Sequence, residues 1–251
     1  MQENKNACKT AIITGGAKNI GRYISLACAE NGMNVVVHYN KSKKDAEQLV
    51  KKLKQKNVNA WALKANLSNS LECINLIKKS KSLCNNTLYL LVNNASIFPK
   101  KNLDKITFRD IIDNVKINSF APLILSRSFA KNVEDGHIVN ILDARIAGID
   151  KNHAAYILSK HLFCAITKIC AMEYAPKIRV NAVSPGLIVD ENIKKLNKYL
   201  NKLKENIPLK THGTPQDIAN CVIFLAKSSF ITGQIIFTDG GRHLFAYNSL
   251  I

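Results

Sequence analysis

At 251 residues, of which 47% are apolar and 22% charged, the chain has the length and make-up of one globular domain with a sizeable buried core. The formal net charge of +18 rests on 36 basic residues, only six of them arginine; lysines on solvated helix faces account for such a charge, and no nucleic-acid partner is expected, because base recognition favours arginine and aromatic platforms. Seven cysteines without CxxC spacing and six histidines without an HExxH pair argue against a disulfide framework and a metal, the apolar runs fall far short of the ~18–20 residues that cross a bilayer, and residues 1–10 carry no secretory h-region, so no membrane association and a cytoplasmic location are expected.

The first β-rich run, residues 10–14, leads into Thr14-Gly15-Gly16-Ala17-Lys18-Asn19-Ile20-Gly21 and then a segment of helical period over 20–31. Glycines between a first strand and a first helix allow a tight turn and let backbone N–H groups approach a pyrophosphate, which the helix N-terminus stabilises. A second strand over 34–39 runs into Asn40-Lys41-Ser42 and a helix over 42–55, with Ser42 and Asp45 spaced as a capping pair. A site that takes NAD has an acid at the end of this strand to bind the ribose hydroxyls. Here no acid appears before Asp45, whereas Lys18, His38, Lys41 and Ser42 can donate to a 2′-phosphate, so NADPH is expected over NADH.

Strands over 60–64 and 89–93 flank a helix over 70–83, and a long helix over 108–130 opens on the capping pair Thr107 and Asp110. A strand over 136–142, a helix over 153–174 and a strand over 179–184 follow, then a lysine- and asparagine-rich stretch over 187–206 that reads either as a lid or as a solvated helix. Thr214 before Pro215 starts a helix over 215–227, and 234–238 is the last strand. Strand-helix alternation with short connections implies an α/β, doubly wound fold: one domain over 1–251, with a mostly parallel seven-stranded sheet flanked by helices. In the 153–174 helix, Tyr156 and Lys160 lie one turn apart on the same face. A phenol with a pKa near ~10 is a poor acid-base catalyst at neutral pH, and a neighbouring ammonium is expected to lower it.

Together these pieces resemble the short-chain dehydrogenase/reductase family over nearly the whole chain. The motifs are the glycine turn at Thr14 to Gly21, Asn93-Asn94-Ala95-Ser96, Asn118, the Tyr156/Lys160 pair, Pro185-Gly186, Thr232-Gly233-Gln234 and Asp239-Gly240-Gly241. The resemblance implies a Rossmann-type fold in which Tyr156 delivers a proton, Lys160 holds the nicotinamide ribose and Asn118 positions a water. It implies a cofactor lying along Gly15, Lys18, Asn19, Ile20, Gly21, His38, Tyr39, Lys41, Ser42, Asn66, Leu67, Asn94, Ala95 and Ser96, with Pro185 and Gly186 flanking the nicotinamide beside Tyr156 and Lys160. It also implies a homotetramer assembled through the tyrosine helix, with Leu162, Phe163 and Ile166 facing a partner.

Asp143 departs from the common pattern of that family, which has serine 13 residues before the tyrosine. An ionised carboxylate cannot donate a hydrogen bond to a carbonyl, but it can accept from a nitrogen heterocycle or, protonated, give it a proton. In this respect the chain is similar to the pteridine reductases. His38-Tyr39-Asn40-Lys41-Ser42 and Asn94-Ala95-Ser96-Ile97-Phe98 also resemble that branch, which implies Ser96, Phe98, Asp143 and Tyr156 as pterin contacts, with Phe98 stacked on the ring. Asn19, where that branch often has arginine, and Asn66, where an aspartate usually meets adenine, depart from it. The activity expected is NADPH-dependent reduction of a dihydropterin or dihydrofolate to the tetrahydro form. A carbonyl reductase acting on acyl-carrier thioesters is the alternative within the family, and an idle member binding through its lysines is the alternative outside catalysis.

Overall fold

Short runs rich in Val, Ile, Leu and Ala form the strands, and the computed structural model describes residues 8–148, 150–190, 203–205 and 207–245. The strands are β1 (Thr10–Ile13), β2 (Asn34–Tyr39), β3 (Ala60–Lys64), β4 (Leu88–Asn93), β5 (Gly136–Ile141), β6 (Ile178–Pro185) and β7 (Ile235–Thr238). All pair in parallel in the order β3-β2-β1-β4-β5-β6-β7. The order reverses between β1 and β4, and in such sheets the crevice for a ligand opens beyond the strand ends at that switch.

The helices are α1 (Asn19–Glu30), α2 (Lys43–Lys54), α3 (Ser70–Leu83), α4 (Phe108–Val115), α5 (Ala121–Asn132), α6 (Ala154–Tyr174), α7 (Pro215–Lys227) and the short α8 (Arg242–Phe245). Because side chains alternate across a strand, Ala11 and Ile13 join Ile24, Leu49 and Val222 under α1, α2 and α7. Ile12 joins Ile77, Leu125 and Phe163 under α3, α5 and α6. Both faces are covered by helices, and the strands accordingly are largely apolar on both sides rather than alternating.

Three expectations need correcting. Ser42 precedes α2 but its side chain makes no cap hydrogen bond, unlike Thr107 and Thr214, which each form a full capping box. The helix expected over 108–130 is broken into α4 and α5 by a π-helical turn, Lys116–Phe120. Pro122, which lacks an N–H and cannot continue the regular ladder, sits just after that turn, and such turns mark functional segments. On α6, Phe163 and Ile166 point into the protein's own core at 2% and 8% exposure. Leu162 does lie outward, with Leu158, Ile169 and Met172, so the outer face of the helix is a different set from the one expected.

By length and hydropathy α6 would pass for a membrane span, yet 56% of its most apolar stretch is buried and it packs on β6. Most of the 187–206 stretch, read as a lid or a solvated helix, lies outside the described residues.

Candidate active site

Thr14 ends β1 with a buried hydroxyl that donates to the Val92 carbonyl (3.2 Å) and accepts the N–H groups of Asn94 (2.9 Å) and Ala95 (3.0 Å). The Asn94 amide in turn donates to the carbonyls of Thr14 (2.9 Å) and Gly15 (3.3 Å). The glycine turn is thereby tied to the end of β4. Gly15 has φ +61°, and a Cβ on Gly21 would lie 2.3 Å from the Gly15 carbonyl oxygen, so neither position has room or freedom for a side chain. Asn19 also adopts a left-handed conformation, φ 47°, which asparagine tolerates better than most residues.

His38 has a different task from the one expected. Its ring is 2% exposed, Nδ1 accepts the Gly15 N–H (3.0 Å) and Nε2 donates to the Ala65 carbonyl (3.0 Å). Both nitrogens are spent on positioning the turn, and burial holds the pKa down at about 4, so the ring stays neutral and is not a donor to a phosphate. Lys18 is exposed as expected, but Asp45 reaches back from the first turn of α2 to pair with it at 3.0 Å. Lys41 is exposed, Tyr39 and Ser42 are half-buried, and the side chain of Leu67 is in the core, leaving only its backbone for a ligand. The side-chain oxygen of Asn66, which stands where an aspartate usually meets adenine, already accepts from the Ser68 N–H (3.1 Å) and hydroxyl (2.9 Å).

Across the cleft, Asp143 caps the turn after β5. Its Oδ1 accepts the Arg145 N–H (2.9 Å), and its Oδ2 accepts the Tyr156 hydroxyl (2.8 Å) and the Arg145 guanidinium (3.2 Å). Arg145 also pairs with Asp150 (3.2 Å), whose carboxylate meets His153 Nδ1 (2.8 Å). Tyr156 lies in the first turn of α6 and is 5% exposed; burial and then the Asp143 charge push its pKa well above the usual phenol value. The lowering expected from the lysine does not decide the outcome, and the opposing Arg145 charge is outweighed, so Tyr156 holds its proton and shares it with a carboxylate. Lys160, 2% exposed, donates to the Ile141 carbonyl (2.8 Å), and burial brings its pKa down to about 8 against the opposing pull of Asp143.

Asn118 lies in the π-helical turn. Its side chain accepts the Ile97 N–H (2.9 Å) and donates to the Ile97 carbonyl (3.1 Å) and the Ser159 hydroxyl (3.0 Å), which fixes the segment after β4 against α6. Phe98, at the end of that segment, is 47% exposed, stacks on His153 (4.0 Å between centroids) and meets the Tyr156 ring edge-on (4.6 Å), with Arg145 over it at 4.9 Å. It does not line the cleft itself.

The cleft, about 290 Å³, runs from Ile20 at the glycine turn past Asn94 and Ser96 to Asp143, Tyr156 and Lys160, and is closed by Pro185, Gly186 and Arg242. Gly186 is needed there because a Cβ would come within 2.6 Å of the Asp239 backbone. Sequence reasoning missed Arg145, Asp150, His153 and Arg242. The short spacing Asp143-Ala144-Arg145 was a signal for the first; nothing local marked the others.

The sequence pattern described as enoyl-(acyl carrier protein) reductase matches residues 15–243. The chain belongs to the short-chain dehydrogenase/reductase family. Among similar proteins, the 3-oxoacyl-[acyl-carrier-protein] reductase FabG of Staphylococcus epidermidis is 36% identical over 94% of this chain and 99% of its own length. The FabG of Rickettsia felis is also 36% identical, over 93% and 96%. Among solved structures, FolM alternative dihydrofolate reductase 1 of Brucella canis, complexed with NADP, superposes with a TM-score of 0.87 at 28% identity, over 95% of each chain. A Serratia marcescens short-chain dehydrogenase/reductase mutant gives 0.88 at 26%, over 94% and 98%. As a member of this family the chain is an oxidoreductase, and its cleft, crossing the strand ends at the switch between β1 and β4, has the position and lining to receive a dinucleotide.

Proposed function

We propose that this short-chain reductase uses NADPH to reduce a ring C=N bond of a pterin, taking a dihydropterin or dihydrofolate to the tetrahydro form. The observation that carries the reading is the Asp143 carboxylate bonded to the Tyr156 hydroxyl at 2.8 Å, where the common pattern of the family has a serine hydroxyl. Bound NADPH would supply hydride to the ring carbon. The protein's part is the proton for the ring nitrogen: Tyr156 holds one at neutral pH, Asp143 fixes its direction, and solvent replaces it after each turnover.

Lys160 contributes positive charge beneath the tyrosine and a donor for the nicotinamide ribose. Lys18 and Lys41 are the cations placed for the 2′-phosphate, with Gly15, Asn19, Ile20 and Gly21 presenting backbone to the pyrophosphate. Ser96 meets the heterocycle at the cleft, and Phe98 backs the site from behind Tyr156, whose ring it meets edge-on at 4.6 Å. The likeness to the NADP-bound FolM alternative dihydrofolate reductase supports both cofactor and substrate class.

The test follows NADPH oxidation by absorbance with dihydrobiopterin, dihydrofolate, biopterin and a β-ketoacyl thioester. Pterin turnover that Asp143→Ala abolishes is the expected result; turnover of the thioester alone overturns the reading. A second reading, reduction of 3-oxoacyl thioesters, is favoured by the 36% identity to FabG proteins. Against it stands Asp143, whose ionised carboxylate cannot donate to a ketone oxygen. Asp143→Ser separates the two, raising ketone reduction only if the thioester site is otherwise in place.

A further inference from the structure

Three cations line the cleft, and they differ in what holds them. Lys160 donates to the Ile141 carbonyl, and Arg145 is neutralised by Asp143 and Asp150. The Arg242 guanidinium has no hydrogen-bond or ion-pair partner among the described residues. Nor is the nearby acid available to it. The Asp239 carboxylate is buried and already accepts the N–H groups of Gly241 (3.0 Å) and His243 (2.6 Å) and the His243 ring (2.9 Å).

The loop that presents Arg242 is firmly built. Gly240 and Gly241 have φ of +65° and +85°, a Cβ on Gly241 would meet the Pro208 ring at 2.9 Å, and His243 stacks on Phe237 at 4.2 Å. The loop also packs against Gly186 on the cleft wall and against the turn that carries Arg145. Arg242, half-buried on so fixed a mount, lines the cleft together with Asp143, Tyr156 and Lys160, where part of a ligand that projects past the reacting ring can reach it.

We infer that Arg242 binds an anionic group, carboxylate or phosphate, on the substituent of the substrate, so that the enzyme prefers acidic substrates over uncharged ones with the same reacting group. The inference rests on the reading that the substrate is reduced in this cleft, and it extends that reading to the substituent. It does not require the ring to be a pterin. A glutamyl tail would supply carboxylate, and a phosphopantetheinyl thioester would supply phosphate.

The test is calorimetric binding to the NADP-loaded enzyme of two matched pairs: dihydrofolate with dihydrobiopterin, and acetoacetyl-coenzyme A with the uncharged acetoacetyl N-acetylcysteamine thioester. Wild type should bind the acidic member of at least one pair more tightly. Arg242→Gln should weaken that member by about tenfold or more, as for loss of one charge-assisted hydrogen bond, and the uncharged member less than about twofold. Arg242→Lys should recover part of the loss, and high salt should erase the difference. Which pair responds identifies the carboxylate or the phosphate as the source. Equal weakening of both members, no preference in wild type, or a loss that falls instead on NADPH affinity would overturn the inference. Turnover of both pterins with an Arg242→Gln enzyme indifferent to charge would leave the pterin reading standing alone; a charge effect confined to the thioesters would do the reverse.

Discussion

The two ends of the cleft are built on opposite plans. At the glycine turn, polar side chains are spent on the protein itself: Thr14 serves three backbone groups, Asn94 two, and both nitrogens of His38 are taken. What remains for a ligand there is backbone and surface lysine. At the other end, Tyr156, Asp143, Arg145, Asp150 and His153 bond mainly to one another through side chains, in one string of titratable and charged groups. The first end behaves as scaffold, because removing any member orphans a buried group. The second keeps titratable groups mutually satisfied yet exchangeable, which proton transfer requires.

If that contrast holds, damage to the scaffold end should appear as lost folding and damage to the reactive end as lost rate. The largest effect is expected for Gly21→Ala, whose methyl would collide with the Gly15 carbonyl at 2.3 Å; loss of cooperative thermal unfolding or of measurable NADPH binding is the outcome, and a variant with unchanged Tm and affinity would break the comparison. Tyr156→Phe should cost about 10²- to 10⁴-fold in kcat for the accepted substrate while moving Tm little, checked by steady-state kinetics beside a thermal melt.

The scaffold end also carries a pH signature. His38, lowered by burial from 6.5 to about 4, takes up its proton more readily in the unfolded chain, so its contribution is complete above pH 6.5 and is lost as pH falls towards 4, amounting to about 3 kcal/mol. His137, held down at about 3 by burial and then by Arg179, extends the same fall to lower pH. Denaturant unfolding between pH 7 and 4 should show this loss, and His38→Gln should flatten the slope above pH 4. The smallest expected effect is at the surface: Asp45→Asn frees Lys18 from its 3.0 Å partner and should tighten NADPH binding by about two- to fivefold at low salt without altering NADH binding. No change would remove Lys18 from the phosphate site.

Much of this was legible in the residues. The seven strands fell where β-rich, mostly apolar runs stood, because both sheet faces are covered, and the resemblance singled out Asp143 and Tyr156, which the fold brings within 2.8 Å of each other. The task of His38 did not, since its partners lie at Gly15 and Ala65 and only the fold brings them to its two nitrogens. The inward and outward faces of α6 were confused because the helix is apolar nearly all round; Phe163 and Leu162 are neighbours that local pattern cannot tell apart. Arg242 was silent because the role proposed for it depends on its having no partner among the described residues, a property that exists only in three dimensions.

Thr14 has one further consequence. The amide protons of Asn94 and Ala95 belong to a segment past the end of β4, where rapid exchange with solvent deuterium would be ordinary. Both are held by a hydroxyl that is 1% exposed and anchored at the end of β1. Releasing them means parting β1 from β4, which divides the sheet between its β3-β2-β1 and β4-to-β7 halves. Those two amides should therefore exchange as slowly as the strand interiors, and they report, from within a loop, whether the sheet has come apart at its middle.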